Sequence, residues 1–89
     1  MNHEYVENVW ETSPLKGSQL LVHIAMAADA SSAGFVWSTT QHLAKTAHVS
    51  YMTVRHAIDN LKQKNLVEVS EMFGHKEVFK LVKGEVVTE

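Results

Sequence analysis

The chain has 89 residues, six of them histidine and none cysteine, with a formal net charge of −2 at neutral pH, and this length supports one hydrophobic core and not two. Its longest apolar stretch, Leu20–Ala28, is interrupted by His23 and is far shorter than the roughly 20 residues of a membrane span, so we expect none. The first residues lack the basic and apolar segments of a secretory signal, and there is no cysteine for disulfides, which together predict a cytoplasmic location.

Residues 1–14 are predicted to form an extended arm. Its apolar side chains, which follow no convincing 3.6-residue period, are Tyr5, Val6, Val9 and Trp10. Pro14 also disfavours a helical conformation at Ser13. Two interpretations remain open, packing of the arm on its own chain or clasping of a second subunit, and we favour the first.

Leu15–Ala30 is predicted to be the first helix. The side chains that mark its apolar face are Leu20, Leu21, Ile24, Ala25, Ala27 and Ala28. This spacing leaves His23 and Asp29 toward the edge of that face or outside it. After a break at residues 31–34, the strand-forming run Phe35–Trp37 predicts a short strand, in which we expect Trp37 to be a core aromatic rather than a nucleic-acid stacking residue.

A short second helix is predicted to begin after Ser38. Ser38 and Gln41 have the spacing of a capping box, and Leu43–Ala47 continues the helix. Residues 48–50 then form a tight connection. Two helices joined in this way indicate a helix-turn-helix arrangement.

Ser50 is predicted to cap a third helix over residues 50–64. The side chains of its buried stripe are Val54, Ala57, Ile58 and Leu61. Asn65 follows the helix, and asparagine tolerates the left-handed conformation with which helices commonly end.

The last third of the chain predicts a β-hairpin. Val67 and Val69 alternate on one strand and Phe79 and Leu81 on the other, with Phe73–Lys76 as the tip. The predicted fold is therefore an α+β domain over residues 15–83, with three helices and a small antiparallel sheet. Residues 84–89 are predicted to be a loosely held tail.

The outer face of the third helix is the candidate functional surface. By 100° steps, the side chains opposite the buried stripe are Tyr51, Met52, Arg55, His56, Asp59 and Lys62. The major groove of DNA admits one α-helix, and the first turns of that helix reach the base edges. We therefore expect base contacts from Tyr51, Met52, Arg55 and His56, with the alternative that Arg55 is a solvated charge paired with Asp59.

Other DNA contacts are predicted at the start of the second helix, on the third helix and at the hairpin tip. They are Thr39, Thr40, Gln41, Lys45, Ser50, Thr53, Lys62, His75 and Lys76. Free N–H groups at a helix start favour phosphate. The charge distribution agrees with this, because residues 38–83 carry seven lysines and arginines against four carboxylates, whereas residues 1–37 carry one lysine against four carboxylates.

These residues match a family pattern. Leu43-Ala44-Lys45, followed by Val49-Ser50-Tyr51-Met52-Thr53-Val54-Arg55-His56-Ala57-Ile58 and continuing to Leu66-Val67, closely resembles the core of bacterial winged helix-turn-helix domains. The segments 10–17 and 28–38 resemble the subgroup found in bacterial, plasmid and phage replication-initiation or regulatory proteins. The resemblance implies a DNA-binding fold in which the hairpin is the wing. Asn65 stands where the family usually has glycine, and the wing tip lacks the usual arginines.

The leading hypothesis is thus sequence-specific binding of double-stranded DNA by a small transcriptional regulator or replication accessory factor. The alternative is a winged helix that docks on a larger protein complex, which the net negative charge supports. A domain of this size covers a short half-site, so we expect a homodimer through the arm or the helix over residues 15–30, or a partner that supplies a second grip.

Metal binding and catalysis are not favoured by the residue pattern. His42, His48 and His56 are not at the i, i+4 spacing that places two ligands on one helical face. A metal-responsive repressor remains a weaker alternative. The scattered Ser, His and Asp residues form no recognisable catalytic set, so we expect no enzyme activity and no cofactor.

Overall fold

The computed structural model describes residues 2–73 and 76–84, which form an α+β fold of four helices and a three-stranded antiparallel sheet. The elements in chain order are α1 (His3–Thr12), α2 (Ser18–Asp29), β1 (Phe35–Val36), α3 (Thr40–Ala47), α4 (Tyr51–Gln63), β2 (Val67–Phe73) and β3 (Lys76–Leu81). The strand order is β1-β3-β2, so β3 lies in the centre of the sheet. Among the described residues, no helix is long and apolar enough to cross a bilayer.

The prediction of an extended arm is wrong. Most of residues 1–14 form the helix α1, which is additional to the three predicted helices. The Asn2 side chain caps this helix by accepting a hydrogen bond from the Tyr5 N–H, and it also donates to the Ser31 carbonyl over 2.8 Å. Pro14 restricts only the residue before it, and Ser13 is accordingly extended, with φ −62° and ψ 131°. The proline therefore ends the helix at Thr12 and does not prevent it.

One side of α1 packs on the rest of its own chain. Val9 is buried, and Tyr5 and Val6 pack against the core, whereas 72% of Trp10 is exposed. Asn8 binds the backbone of Gly84, which follows β3. The Asn8 side-chain amide donates to the Gly84 carbonyl and accepts from the Gly84 N–H, each over 2.9 Å. This helix is therefore an integral part of the domain.

The second helix begins later than predicted and buries a different set of side chains. Gly17 precedes it with φ 59° and ψ −134°, a conformation that requires glycine, so α2 begins at Ser18 and not at Leu15. It packs against α1, α3, α4 and β1. Because neighbours surround it on several sides, His23 is buried, contrary to the expected edge position, whereas Leu21 is half exposed.

The core and the sheet follow the predicted pattern closely. The stripe of α4 (Val54, Ala57, Ile58 and Leu61) is fully buried. Asn65 has φ 59°, the left-handed conformation expected after this helix. In the hairpin, Val67 lies opposite Leu81 and Val69 opposite Phe79, so the alternating residues share one face of the sheet.

Candidate nucleic-acid interface

A three-residue turn joins α3 to α4. His48 ends α3 in the left-handed conformation, with φ 57° and ψ 44°, and its N–H bonds to the carbonyls of the last turn. The Val49 N–H donates to the Ala44 carbonyl over 3.0 Å, and the Val49 side chain packs against the core. These contacts fix the direction in which the chain enters α4.

The start of α4 is capped as the sequence predicts. Ser50 is extended, and its hydroxyl oxygen accepts the Thr53 N–H over 3.1 Å. The two side-chain hydroxyls, Ser50 Oγ and Thr53 Oγ1, are also 2.9 Å apart and share a hydrogen bond. The first turn of α4 is therefore held rigidly, with its N-terminal dipole directed outward.

The outer face of α4 carries the side chains that the sequence placed there. Tyr51 and Met52 are 50% and 58% exposed, His56 and Asp59 are exposed, and Arg55 is partly exposed. Lys62 lies in the last turn, where its ammonium is 5.7 Å from the centroid of the buried Phe79 ring. Lys62 thus leans toward the sheet, whereas the other five side chains occupy the first turns of the helix and its middle.

The start of α3 is capped one residue later than predicted. Thr39 is the N-cap, and its hydroxyl accepts the His42 N–H over 3.0 Å. The Ser38 hydroxyl instead donates to Asp29 Oδ2 over 2.8 Å, so the capping box of Ser38 and Gln41 does not form. The first N–H groups of α3, those of Thr40 and Gln41, have no carbonyl four residues earlier within the helix.

Asp29 brings a carboxylate to this helix start, and no local sequence pattern indicates this contact. Its Oδ2 atom accepts from Ser38 and is 3.6 Å from His42 Nε2. Asp29 ends α2, and Ser38 lies nine residues further along the chain, so only the packing of α2 on α3 makes them neighbours. The charge of Asp29 complements the positive end of the α3 dipole.

Trp37 is half exposed, which contradicts the predicted core position. Val36 is fully buried and pairs with Phe79, and β1 ends there, so Trp37 lies beyond the last paired residue of the strand. Trp37 lies directly before Ser38 and the N-cap Thr39.

His23 is buried at the junction of α1 and α2. Its Nδ1 atom is 2.8 Å from Ser13 Oγ, which also accepts the Leu15 N–H over 3.2 Å. Burial lowers the pKa of His23 to about 4, because the charged form loses its hydration. His23 is therefore a neutral structural residue at neutral pH.

The predicted contacts at the hairpin tip have no described side chains. Gly74 and His75 lie outside the described residues, and only the backbone of Lys76, the first residue of β3, is described. Lys80 is exposed on the face of the sheet that carries Phe35, with its ammonium 5.8 Å from the centroid of that ring.

The described residues offer few alternatives to a surface site. Within residues 2–73 and 76–84, no group of three or more His, Cys, Asp or Glu side chains is placed to hold a metal ion. A surface cavity of about 350 Å³ is lined by Asn2, His3, Glu4, Ala30 and Ser32. None of the side chains predicted to contact DNA lines it.

Comparisons with known proteins assign no family. No protein-family model, no curated protein and no solved structure matches the chain. A functional assignment therefore depends on the geometry of α3, α4 and their flanking residues.

Proposed function

We propose that this protein is a winged helix-turn-helix domain that binds double-stranded DNA sequence-specifically, with α4 in the major groove. The observation that supports this most strongly is the first half of α4, where a capped helix start presents exposed side chains after a three-residue turn. A helix in this position enters the groove with its N-terminal turns toward the bases. The cellular role that we propose is that of a small transcriptional regulator or a replication accessory factor.

The side chains of α4 supply different kinds of contact in this proposal. Arg55 donates two hydrogen bonds to a guanine, and Met52 packs against a thymine methyl group. Tyr51 and His56 complete the base-reading surface. Ser50 and Thr53, at the helix start, position the protein on a phosphate.

The start of α3 and Lys45 add contacts to the DNA backbone. The N–H groups of Thr40 and Gln41 are suited to a phosphate oxygen, and Lys45 is exposed in the last turn of the same helix. The charge distribution supports this orientation. Three glutamates and no lysine or arginine lie on α1, whereas α3 and α4 together carry three cationic side chains against Asp59.

We also propose that two copies bind together, each reading one half-site. Because most of the predicted arm packs on its own chain, we place the contact between the two copies on α2, where the Leu21 side chain is 50% exposed. Dimeric binders of this kind recognise half-sites about one helical turn apart.

A second candidate function is a protein-docking module that uses the same face of α4. The exposed apolar surface of Tyr51 and Met52 favours it, since aromatic residues and methionine are enriched at protein interfaces. The two functions differ in their response to salt. Binding that neutralises several phosphates weakens steeply with ionic strength, whereas an apolar protein interface responds little.

The test is fluorescence anisotropy of labelled duplexes, both of random sequence and from the genome of origin, across a salt series. We expect tight, salt-sensitive and sequence-selective binding by the wild type. Arg55→Ala is expected to weaken binding to the preferred sequence by roughly ten-fold, corresponding to the loss of one bidentate base contact. Lys16→Ala removes the same charge at an exposed position before α2 and serves as the control.

No binding by the wild type at low salt contradicts the proposal and favours the protein-docking function. If Arg55→Ala and Lys16→Ala lose the same affinity for duplex DNA, the attraction depends on net charge alone. That result contradicts the placement of α4 in the groove.

A further inference from the structure

We propose that Trp37 is a DNA-contacting residue whose indole packs against the deoxyribose–phosphate backbone beside the phosphate held at the start of α3. This inference rests on the proposed function and adds to it a contact that the residue pattern assigned to the core. It makes the end of β1 part of the binding surface.

Trp37 lies at the surface directly after the first strand of the sheet. Val36, the last residue of β1, is fully buried and pairs with Phe79. Trp37 follows it outside the strand and is 50% exposed.

The position of Trp37 along the chain places it within reach of the proposed phosphate contact. Two residues span at most about 7 Å, so the backbone of Trp37 lies no further than this from Thr39. The proposal places the sugar beside a phosphate at Thr40 and Gln41 against this indole.

Hydrogen bonds hold the segment between Trp37 and α3 in place before any ligand arrives. Ser38 Oγ donates to Asp29 Oδ2, and Thr39 Oγ1 accepts the His42 N–H. Contacts from a segment that is already ordered lose less conformational entropy on binding.

The chemistry of duplex DNA selects the sugar rather than a base as the partner of this indole. Insertion between stacked bases must unstack them and kinks the duplex, whereas the deoxyribose presents apolar C–H groups at the surface. An indole against the sugar also excludes water from the neighbouring phosphate contacts, as apolar residues do around the strongest contacts of other interfaces.

The two tryptophans of the chain, Trp10 and Trp37, permit a direct test. Trp10→Phe leaves Trp37 as the single indole, and Trp37→Phe leaves Trp10. Each variant is titrated with a fluorescein-labelled 20-base-pair duplex of random sequence at low salt. Dye anisotropy reports binding, and indole emission is recorded in a parallel titration with unlabelled duplex.

In the Trp10→Phe variant, we expect indole emission to change with the same half-saturation as the anisotropy. In the Trp37→Phe variant, we expect the emission of Trp10 to stay constant while the anisotropy rises. Trp37→Ala is expected to weaken binding by roughly ten-fold, because tryptophan is among the residues whose truncation weakens interfaces most.

Failure of this inference is distinguishable from failure of the proposed function. If the anisotropy rises but the emission of Trp37 stays constant, or if Trp37→Ala binds as the wild type does, Trp37 is not a contact although DNA binding stands. If the anisotropy does not rise for the wild type or for Trp10→Phe, both proposals fail. Because the emission test uses Trp10→Phe, it does not depend on the folding of Trp37→Ala.

Discussion

The side-chain amide of Asn60 on α4 donates a hydrogen bond of 2.7 Å to Gln19 Oε1 on α2. Both side chains are partly buried and lie 41 residues apart in the chain. The buried stripe of α4 is apolar and non-directional, so a polar link of defined geometry adds a constraint on the rotation of α4 about its axis. The orientation of the proposed recognition helix is thereby tied to the centre of the fold.

Gln19→Ala and Asn60→Ala are each expected to lower the free energy of unfolding by about 1 kcal/mol, the typical net contribution of one hydrogen bond. The double variant should lose less than the sum of the two, because the same bond is removed only once. Urea unfolding of the four proteins measures this coupling. Additive losses would show that the bond contributes nothing in solution.

Substitutions of Ser50 separate the stability of α4 from its proposed contact with DNA. Ser50→Ala removes the acceptor of the Thr53 N–H and should destabilise the domain by about 1 kcal/mol. Ser50→Asp keeps an N-cap acceptor and should retain stability, but its charge repels phosphate. We expect a lower unfolding temperature for Ser50→Ala. For Ser50→Asp, we expect a lower affinity for duplex DNA. Undiminished duplex binding by Ser50→Asp contradicts a phosphate at this helix start.

Asp29→Asn is expected to strengthen duplex binding. The amide oxygen still accepts the Ser38 hydroxyl hydrogen, while the negative charge beside the start of α3 is removed. Removal of one surface charge near a bound phosphate is expected to raise the affinity for duplex by roughly two- to five-fold at low salt. This gain diminishes as the salt concentration rises.

Glu7→Gln provides the matched control for Asp29→Asn, because it makes the same charge change at an exposed position on α1. Its affinity for the duplex should change less. An equal increase for both variants would indicate an effect of net charge and would argue against a phosphate at α3.

The low pKa of His23 is expected to make the free energy of unfolding fall in acid. Its pKa is about 4 in the folded protein and about 6.5 in the unfolded chain, so the unfolded state binds the proton more readily. The stabilisation is complete above about pH 6.5 and is lost as the pH falls through 4. The full difference corresponds to about 3 kcal/mol.

The measurement is the free energy of unfolding of wild type and His23→Gln from pH 7.5 to 3.5. Glutamine does not titrate in this range, so the pH dependence of that variant should lack the His23 component. His3→Gln makes the same substitution at an exposed position on α1 and serves as the control. Parallel curves for wild type and His23→Gln would mean that folding does not lower the pKa of His23.

The features that the sequence predicted correctly are those decided by near neighbours in the chain. The Ser50 cap depends on residues three apart, and the buried stripe of α4 follows helical periodicity. The left-handed Asn65 follows α4, and Val67, Phe79 and Leu81, which alternate along their strands, are buried. Each of these needs no knowledge of distant elements.

The features that the sequence missed depend on packing between elements. The helix α1 is an exception, because Tyr5, Val6 and Val9 already have the i, i+3 and i+4 spacing of one helical face, and the weight given to Pro14 obscured this pattern. His23 is buried because α1 and its following loop pack on α2, and Trp37 is half exposed just beyond the end of β1. The contact of Asp29 with Ser38 likewise requires α2 and α3 to be neighbours.

The most direct test of DNA binding through α4 is an amide NMR titration of the ¹⁵N-labelled protein with a 20-base-pair duplex. We predict that the largest shift changes fall in residues 39–41 and 50–56, with Trp37 affected and the exposed side of α1 unaffected. Amide shifts that stay constant, or that change mainly along α1, would contradict the proposed function.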